Sequence, residues 1–299
     1  MDESEKHMIT SHAEYGPIKS LLLKHARDAF RSQDLISQQW KELNFLSEPQ
    51  LPKATEEYSA FYDLVTGRGK AITTMLPQDA SVTLDSVYCR DAALATDFGM
   101  IMCNMGKPAR AGEPAAIKQT CNANSIKVLG EIQPPGTVEG GDCAWVDHKT
   151  LAVGLTYRTN AQGISQLRAM LEPHGVKVIE VHLPHYRGMS DVFHLMSIFS
   201  PVHKDIAVVY SPLMPIIFRN DLLNRGFKLV EVPESEFDSM GCNVLAIGDR
   251  HCLMVKGNPI TCERLEKAGC QVDEYVGQEI SLKGGGGPTC LTRPMQREI

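Results

Sequence analysis

The sequence lacks the features that mark membrane, secreted and nucleic-acid-binding proteins. No apolar run approaches the roughly 18 residues needed to span a bilayer, so we predict no membrane partner. The start of the chain has neither the basic stretch nor the apolar stretch of a secretory signal. Its 30 Lys and Arg residues are fewer than its 36 Asp and Glu residues, and the net charge of -6 argues against a nucleic-acid partner.

Motifs for common cofactors and metals are also missing. The chain has no dinucleotide-binding fingerprint, no phosphate loop and no spacing typical of zinc ligands, so we predict neither a cofactor nor a metal. Its nine cysteines are odd in number and include no Cys-x-x-Cys pair. This pattern favours free thiols in a reducing compartment, and we therefore predict a cytoplasmic location.

What the chain does contain is a globular composition and a repeated pattern. Its 299 residues are 43% hydrophobic and 22% charged, which is enough for a large core. A strand-strand-helix-strand pattern recurs with a period of about 40 residues, which is typical of repeat proteins. The pattern predicts, among other elements, a helix over residues 161–171 and a strand over residues 251–255. The five predicted units are residues 15–77, 86–132, 143–184, 194–233 and 242–276.

Short-stranded units can stack as an open array or close into a ring, and closure removes exposed sheet edges. We therefore predict an α+β fold of the α/β-propeller type, with five pseudo-symmetric ββαβ repeats around a central active site. The whole chain, residues 1–299, is predicted to form this single domain. The alternative is an ordinary α+β domain whose segments resemble one another by chance.

The most informative segment is the glycine-rich loop of residues 284–293. Its four consecutive glycines, residues 284–287, favour a backbone that turns freely and lets another group approach closely. Cys290 follows at once. Reactive thiols lie in exposed loops of this kind, whereas inert cysteines are buried as small hydrophobes. We predict that Cys290 is a nucleophile and that the rest of the chain supplies a base and a charged pocket.

Several other residues are candidates for that pocket. His194 could act as an acid and base because its ordinary pKa is near 6.5, although a lone histidine is more often a packing residue. Glu139 and Asp142 flank two glycines and would suit a cationic guest, the alternative being a solvated turn.

A second acid pair and two arginines complete the candidate set. Asp85 and Asp91 are six residues apart, so on a predicted strand they would share one face, although they could equally be strand-end turn residues. Arg110 and Arg158 lie in predicted loops and could grip a carboxylate through paired hydrogen bonds, the alternative being simple solvation.

Taken together, these motifs resemble the guanidino-modifying superfamily known as the penteins. The resemblance rests on residues 137–142, residues 158–160 with Gly163, residues 193–195 and the glycine-rich approach to Cys290, which occur in the family's order over nearly the whole chain. Members include dimethylarginine dimethylaminohydrolases, arginine deiminases, arginine dihydrolases and amidinotransferases. The resemblance implies a fivefold propeller of strand-strand-helix-strand units.

It also implies a role for each candidate residue. Cys290 would attack the guanidinium carbon, and His194 would protonate the departing amine and then activate water. The substrate-binding residues implied are Glu139 and Asp91 for the guanidinium, Asp85 for the α-amino group, Arg110 and Arg158 for the α-carboxylate, and Asp142 beside Glu139. A guanidinium held between carboxylates would lower the pKa of the thiol. This chemistry requires no metal or organic cofactor.

The predicted function is therefore a cysteine-dependent hydrolase that acts on arginine or a methylated arginine, a small cationic amino acid, through a covalent thiouronium. Dimethylargininases resembling this chain commonly carry two adjacent acids where it has Arg90 and Asp91. Arg90 would either point outward and pair with a neighbour or narrow the pocket against a methylated nitrogen. The alternatives are an arginine deiminase or dihydrolase, an amidinotransferase and a non-catalytic binding propeller. The sequence leaves the oligomeric state open, a homo-oligomer included.

Overall fold

The computed structural model describes residues 8–299, in which short strands alternate with helices. The strands are β1 (Ile9–Thr10), β2 (Ile18–Leu23), β3 (Ile72–Met75), β4 (Ala93–Leu94), β5 (Met100–Met102), β6 (Val128–Glu131), β7 (Cys143–Asp147), β8 (Thr150–Leu155), β9 (Lys177–His182), β10 (Phe199–His203), β11 (Ile206–Val209), β12 (Lys228–Glu231), β13 (Leu245–Gly248), β14 (His251–Val255), β15 (Gln271–Tyr275) and β16 (Thr292–Glu298). The α-helices are α1 (Ala26–Phe30), α2 (Gln33–Gln39), α3 (Leu51–Val65), α4 (Glu113–Ala123), α5 (Ala161–Leu171), α6 (Ile216–Asn224), α7 (Glu234–Phe237) and α8 (Pro259–Lys267).

The strands form five small sheets, so the fold is mixed α/β. Four of the sheets repeat one topology, in which an antiparallel pair of strands is followed by a helix and by a strand parallel to the second. These four sheets are β4-β5-β6, β7-β8-β9, β10-β11-β12 and β13-β14-β15. Their strand-strand-helix-strand order is the one that the sequence pattern indicates for residues 86–276.

Helix α5 shows how local sequence produces one of these units. The Asn160 side chain caps the helix by accepting a hydrogen bond from the Gly163 amide at 2.8 Å. Ile164, Leu167 and Leu171 lie on one face at helical spacing and are fully buried. Gly163 has no room for a side chain, because a Cβ there would overlap the Thr137 carbonyl. The helix therefore packs directly against the segment that leads to Glu139.

The first unit departs from the sequence prediction. Strand β16 lies between β1 and β2, antiparallel to both, and β3 runs parallel to β2. The sequence analysis treated the end of the chain only as a catalytic loop, residues 284–293, and missed this strand. Its pairing joins residues more than 260 positions apart, for example Thr292 and Leu23, so no local pattern announces it.

The segment that carries Asp85 and Asp91 is also different from the prediction. It is not a strand: a short 3₁₀ helix spans Leu84–Val87, and turns follow it. The Asp85 carbonyl accepts a hydrogen bond from the Tyr88 amide at 2.9 Å, so backbone groups are satisfied locally rather than in a sheet. The argument from alternating strand faces is therefore wrong, and the two acids reach the same region through a turn.

The interior consists of three apolar clusters that lie between neighbouring units. One joins the third, fourth and fifth units, one joins the second and third with residues of the first, and one joins the first and fifth with residues of the second. All nine cysteines, which fall within residues 8–299, are free thiols. A search of the same residues finds no helix with the length and apolar character needed to cross a membrane.

Candidate active site

A cavity of about 400 Å³ receives side chains from all five units. Six of the residues singled out from the sequence line it: Asp85, Asp91, Arg110, Arg158, His194 and Cys290. Glu139 and Asp142 are fully buried behind this lining. The sulfur and the imidazole, almost a hundred residues apart in the chain, therefore share one cavity with two carboxylates.

The Cys290 loop is held from two sides. The Asn243 side-chain oxygen accepts hydrogen bonds from the Thr289 amide at 3.0 Å and from the Thr289 hydroxyl at 2.9 Å. The Asn243 amide nitrogen lies 3.4 Å from the Cys290 sulfur. On the other side, Arg90 donates from its backbone to the Cys290 carbonyl at 3.2 Å and from Nε to the Thr289 carbonyl at 2.6 Å. The loop is thus fixed, and the sulfur is half-buried at the cavity wall.

The glycines before Cys290 are required by close packing. A Cβ at Gly286 would overlap the Tyr88 ring, and one at Gly287 would lie 2.5 Å from the Asn243 side chain. The sequence analysis expected close approach by another group, and here that group is the neighbouring unit itself. The loop therefore passes through a gap too narrow for side chains.

In the unliganded protein, the pKa of the Cys290 thiol is higher than that of an ordinary thiol. Burial raises its pKa, and the charge of Asp91 raises it further. Hydrogen bonds from Asn243 and Thr289 and the charge of Arg90 act in the opposite direction. A cation bound beside Asp91 would cancel part of this effect and favour the thiolate.

His194 begins a short 3₁₀ helix (Leu195–Ser197) rather than a strand, and its backbone amide donates to the Ser197 hydroxyl at 3.1 Å. Its Nε2 lies 2.8 Å from a Glu139 carboxylate oxygen. Burial by itself lowers the pKa of His194, but Asp142, Asp91 and Glu139 together raise it to about 9. The imidazole is therefore an imidazolium at neutral pH, poised to give a proton.

Glu139 is the centre of the buried hydrogen-bond network. Besides His194, it accepts from Arg158 Nη1 at 3.1 Å and from the Lys107 amide at 3.0 Å. Burial opposes ionisation, but the hydrogen bond and charge of His194 and the charges of Arg158 and Arg110 hold the pKa of Glu139 well below its usual range. Glu139 is therefore a carboxylate that keeps His194 charged and oriented.

Asp91 has one oxygen engaged and one free. Its Oδ2 accepts from Arg110 Nη1 at 2.5 Å. Arg110 in turn makes two hydrogen bonds to Glu113, at 2.8 and 2.7 Å. The other oxygen of Asp91, Oδ1, is buried without a hydrogen-bond partner, 4.0 Å from His194 Nδ1. A buried, unpaired carboxylate oxygen beside the cavity is the acceptor that a cationic N–H group would satisfy.

A glycine makes this arrangement of Asp91 and His194 sterically feasible. A Cβ at Gly141 would overlap the imidazole of His194 and lie 2.8 Å from Asp91 Oδ1. Gly141 also lines the cavity. The glycine pair between Glu139 and Asp142 therefore opens the space in which the acid and the imidazole meet.

Two arginines are placed differently from the expectation. Arg110 and Arg158 line the cavity, but each is already paired with a carboxylate, Arg110 with Asp91 and Glu113, and Arg158 with Glu139. They are not the free pair that the sequence suggested, because the charge of each guanidinium is already balanced by buried carboxylates. Their contact with a substrate carboxylate stays a prediction.

Asp142 corrects another expectation. It does not line the cavity, so it is not placed to contact a substrate. Its carboxylate instead accepts hydrogen bonds from the Leu195 amide at 3.0 Å and from the Thr156 hydroxyl at 2.7 Å. Burial raises the pKa of Asp142 to about 6. Asp142 therefore positions the turn that carries His194.

The sequence analysis missed Lys107 and Asn243, both of which line the cavity. The Lys107 ammonium lies 2.6 Å from Asp85 Oδ2 and also donates to the Leu43 carbonyl at 2.9 Å. Lys107 lies in the same loop as Arg110, so a search of that loop for every cation would have found it. Asn243 sits at the start of the fifth unit and has no local sequence signal.

Of the two positions considered for Arg90, the structure has the side chain turned away from the pocket and paired with a neighbour. It is fully buried and is absent from the cavity lining, so it does not narrow the pocket or reach solvent. Its guanidinium forms an ion pair with Glu14 at 3.2 Å and supports the Cys290 loop. Arg90 is thus part of the structure beneath the cavity.

One group of side chains has the composition of a metal site. Ligand atoms of Asp91, Glu139 and His194 all lie within 4.8 Å of one another. Both carboxylates are already paired with guanidinium groups, and the histidine carries a proton at neutral pH. A divalent cation would have to displace these charges, so the group is better suited to a guanidinium-like ligand.

The chain has extensive similarity to known proteins. A family model described as N,N-dimethylarginine dimethylhydrolase, eukaryotic, matches residues 28–297. The N(G),N(G)-dimethylarginine dimethylaminohydrolase of Pseudomonas aeruginosa is 30% identical over 252 residues, 83% of this chain and 90% of that protein. An uncharacterised Bacillus subtilis protein is 25% identical over 98% of this chain and 96% of that protein.

Solved structures show the same relationship. A mutant of the Pseudomonas aeruginosa enzyme complexed with citrulline has a TM-score of 0.74 and 26% identity, and the match covers 95% of this chain and all of that one. The N-terminal domain of a cyanobacterial arginine dihydrolase bound to its substrate has a TM-score of 0.78 at 20% identity, covering 93% of this chain and 98% of that domain. The second likeness concerns the fold alone.

Proposed function

Because this chain belongs to the family of eukaryotic-type N,N-dimethylarginine dimethylhydrolases, within the guanidino-modifying penteins, and is a hydrolase of amidine C–N bonds, we propose that it hydrolyses the guanidino group of arginine or a methylated arginine through a covalent bond to Cys290. The observation that carries the proposal is the cavity whose wall holds Cys290, Asp91 with its unpaired Oδ1, and His194, which Glu139 supports from behind.

The binding step follows from charge. The substrate guanidinium lies against Asp91, whose free oxygen accepts one of its N–H groups, and near the negative charge of Glu139. This cation offsets the carboxylate charge that holds the pKa of Cys290 high, so substrate binding itself favours the thiolate. Asp85 receives the α-amino group, and the cations that line the cavity receive the α-carboxylate.

The chemical steps then use the proton on His194. The Cys290 thiol gives its proton to solvent as the cationic substrate binds, and the thiolate sulfur then bonds to the guanidinium carbon, which becomes tetrahedral. His194 protonates the leaving nitrogen, the C–N bond breaks, and ammonia or an alkylamine departs, leaving a thiouronium on the sulfur. Neutral His194 then takes a proton from water as the oxygen bonds to the same carbon. Breaking the S–C bond releases the thiolate and, once the hydroxyl proton has passed to solvent, citrulline.

We further propose that the five units close into a ring around this cavity. Its lining supports the proposal, since it comes from different units: Asp91 from the second, Arg158 from the third, His194 from the fourth, Asn243 from the fifth and Cys290 from the segment that completes the first. A ring is the arrangement in which side chains from five successive units meet at one centre.

The test is product analysis on matched cysteine variants. Purified protein is incubated with arginine, monomethylarginine, asymmetric dimethylarginine, citrulline and agmatine, and products are identified by mass spectrometry. We expect Cys290→Ser to reduce turnover by at least about 1,000-fold, because a hydroxyl is a far weaker nucleophile at neutral pH. Cys262→Ser, a partly exposed cysteine outside the cavity, is the control and should keep full activity. Undiminished turnover in Cys290→Ser would refute the proposal.

The same assay separates the remaining alternatives. Release of methylamines identifies a dimethylargininase, release of ammonia and citrulline from arginine a deiminase, and formation of ornithine a dihydrolase. Addition of glycine distinguishes an amidinotransferase, which would give a new guanidino compound instead of citrulline. Absence of any product together with an unreactive Cys290 would favour a non-catalytic binding protein.

A further inference from the structure

A second cavity, of about 220 Å³, lies apart from the one described above. Its walls are mostly apolar and include Leu76, Val82 and Ile117. Exposed residues at its edge, Pro77 and Gln119, leave it open to solvent. Nothing in the proposed reaction uses this space.

A buried lysine lines the cavity. Lys24, the residue after β2, is only 2% exposed, and its ammonium donates a hydrogen bond to the Pro77 carbonyl. No carboxylate within the described residues 8–299 forms an ion pair with it. A buried ammonium that donates to one carbonyl is costly, because its remaining N–H groups have no acceptor and the charges of Asp28 and Asp79 offset its burial only in part. An anionic group entering the cavity would supply an acceptor and further negative charge.

An unpaired hydroxyl lines the same cavity. Ser86 Oγ is buried and has no hydrogen-bond partner. Buried hydroxyls normally find a partner, so an orphan in a cavity wall indicates a missing ligand or solvent group. Lys24 and Ser86 together provide donors at a site whose remaining walls are mostly apolar, although Asp79 and Glu113 also line it.

We infer that this cavity is a second ligand site, which binds a small carboxylate with a branched apolar body. The carboxylate accepts from Lys24 and Ser86, and the apolar body packs on Leu76, Val82 and Ile117. A volume of 220 Å³ is below the roughly 300 to 1,000 Å³ of pockets that hold drug-sized molecules, which limits the ligand to a few carbon atoms. A larger molecule would not fit this volume. A strongly polar one would bury polar groups against the apolar walls without hydrogen-bond partners.

The site is separate from the first cavity but shares a wall with it. Glu113 lines the second cavity and holds Arg110, which lines the first. Ser86 likewise follows Asp85, which faces the first cavity. A ligand in the second cavity would therefore rest against the support of Asp91 without reaching Cys290.

The test is isothermal titration calorimetry of the full chain with 3-methylbutanoate, and with neutral 3-methylbutanamide as the ligand control. We expect the carboxylate to bind with a Kd of about 1 mM or lower and the amide at least about tenfold more weakly. Lys24→Met should weaken carboxylate binding by about tenfold or more, and Ser86→Ala by a smaller factor. Thermal melting of each variant verifies that it is folded.

Two further lysine variants locate the site. Lys107→Met alters the first cavity, and Lys118→Met alters the outer side of α4, which flanks the second cavity. Both variants should bind 3-methylbutanoate with the same Kd as the unsubstituted protein. Loss of binding in Lys107→Met would place the ligand in the first cavity and overturn the inference. Equal binding to Lys24→Met and the original chain, or no binding at 10 mM ligand (about tenfold above the expected Kd), would also overturn it.

Discussion

The ionisation of two residues, His194 and Glu139, determines what the cavity can do. Their hydrogen bond of 2.8 Å is buried, and its charges are balanced by Arg158 on one side and Asp91 on the other. In this setting the imidazole stays charged up to a pH of about 9. A proton is therefore available to a leaving group throughout the physiological range.

The first prediction concerns this pair. Glu139→Gln keeps a hydrogen-bond acceptor but removes the charge, so the pKa of His194 should fall by about 1 or more from its value of about 9. Its measurement is an NMR titration of the His194 ring, with Glu131→Gln as the exposed control on the same chain. An unchanged His194 titration in Glu139→Gln would show that the carboxylate does not hold the imidazolium.

Individual site residues were predictable to different degrees. Cys290 and His194 carry recognisable local signals, whereas the strand argument for Asp91 was wrong and only the family resemblance indicated it; all three line the cavity. The charge state of each was not predictable, because it depends on partners far away in the chain. Arg110 is the clearest case: from sequence it is a loop arginine, whereas in the structure it is bound between Asp91 and Glu113.

Among the secondary-structure elements, the loop before β16 matters most for function. Asn243 from the fifth unit and Arg90 from the second hold its backbone at Thr289 and Cys290. The glycines let the loop pass close to Tyr88. Since both anchors come from other units, the position of the sulfur depends on how those units pack together.

The second prediction tests this anchoring. Asn243→Ala removes the acceptor of two Thr289 hydrogen bonds and the donor to the Cys290 sulfur, so the loop should shift. We expect kcat to fall by about 100-fold, the effect of misplacing a reacting atom by roughly 1 Å, and the free energy of unfolding to fall by about 1–3 kcal/mol.

Asn258→Ala provides the matched control. Asn258 is fully buried and donates to the Ser239 and Val255 carbonyls at 2.8 and 3.0 Å, away from the cavity lining. Its replacement should reduce stability by a similar amount and leave kcat nearly unchanged. Equal effects of both variants on kcat would mean that Asn243 acts only through stability.

Elements with local signals were predicted well. The predicted helix over residues 161–171 has the observed bounds of α5, and the predicted strand over residues 251–255 has those of β14. Strand β16 and the turn after Leu84–Val87 were not predicted. In the first case the pairing partner is distant in the chain. In the second, the sequence of residues 85–91 resembles a strand, although its backbone hydrogen bonds are local.

For the chain as a whole, the arrangement of units decides whether the distant residues meet. The sequence indicated the number and order of the units, and the apolar clusters in the structure lie between neighbours. Closure into a ring, the single-domain organisation and the cytoplasmic location stay predictions. No local pattern encodes the angle between one unit and the next, which depends on side-chain packing at each boundary.

The third prediction concerns the dependence of overall stability on pH. The pKa of His194 is raised from its ordinary 6.5 to about 9, so its contribution to folding is complete below pH 6.5 and is lost as pH rises towards 9. The loss should amount to about 3 kcal/mol at most. Urea unfolding at several pH values measures it, and His194→Gln should remove most of this difference. A His194→Gln chain with the same pH dependence would contradict the assignment.

Selective alkylation tests most directly the claim that a nucleophilic thiol and a guanidinium-binding carboxylate share one cavity. The reagent is 2-chloroacetamidine, a planar cation, with neutral iodoacetamide for comparison, and modified peptides are mapped by mass spectrometry. We expect the amidine to modify Cys290 before any of the other eight cysteines, to abolish activity, and to be slowed both by arginine and by Asp91→Asn. Modification of Cys262 with Cys290 intact, or equal rates for the cationic and neutral reagents at Cys290, would contradict the account.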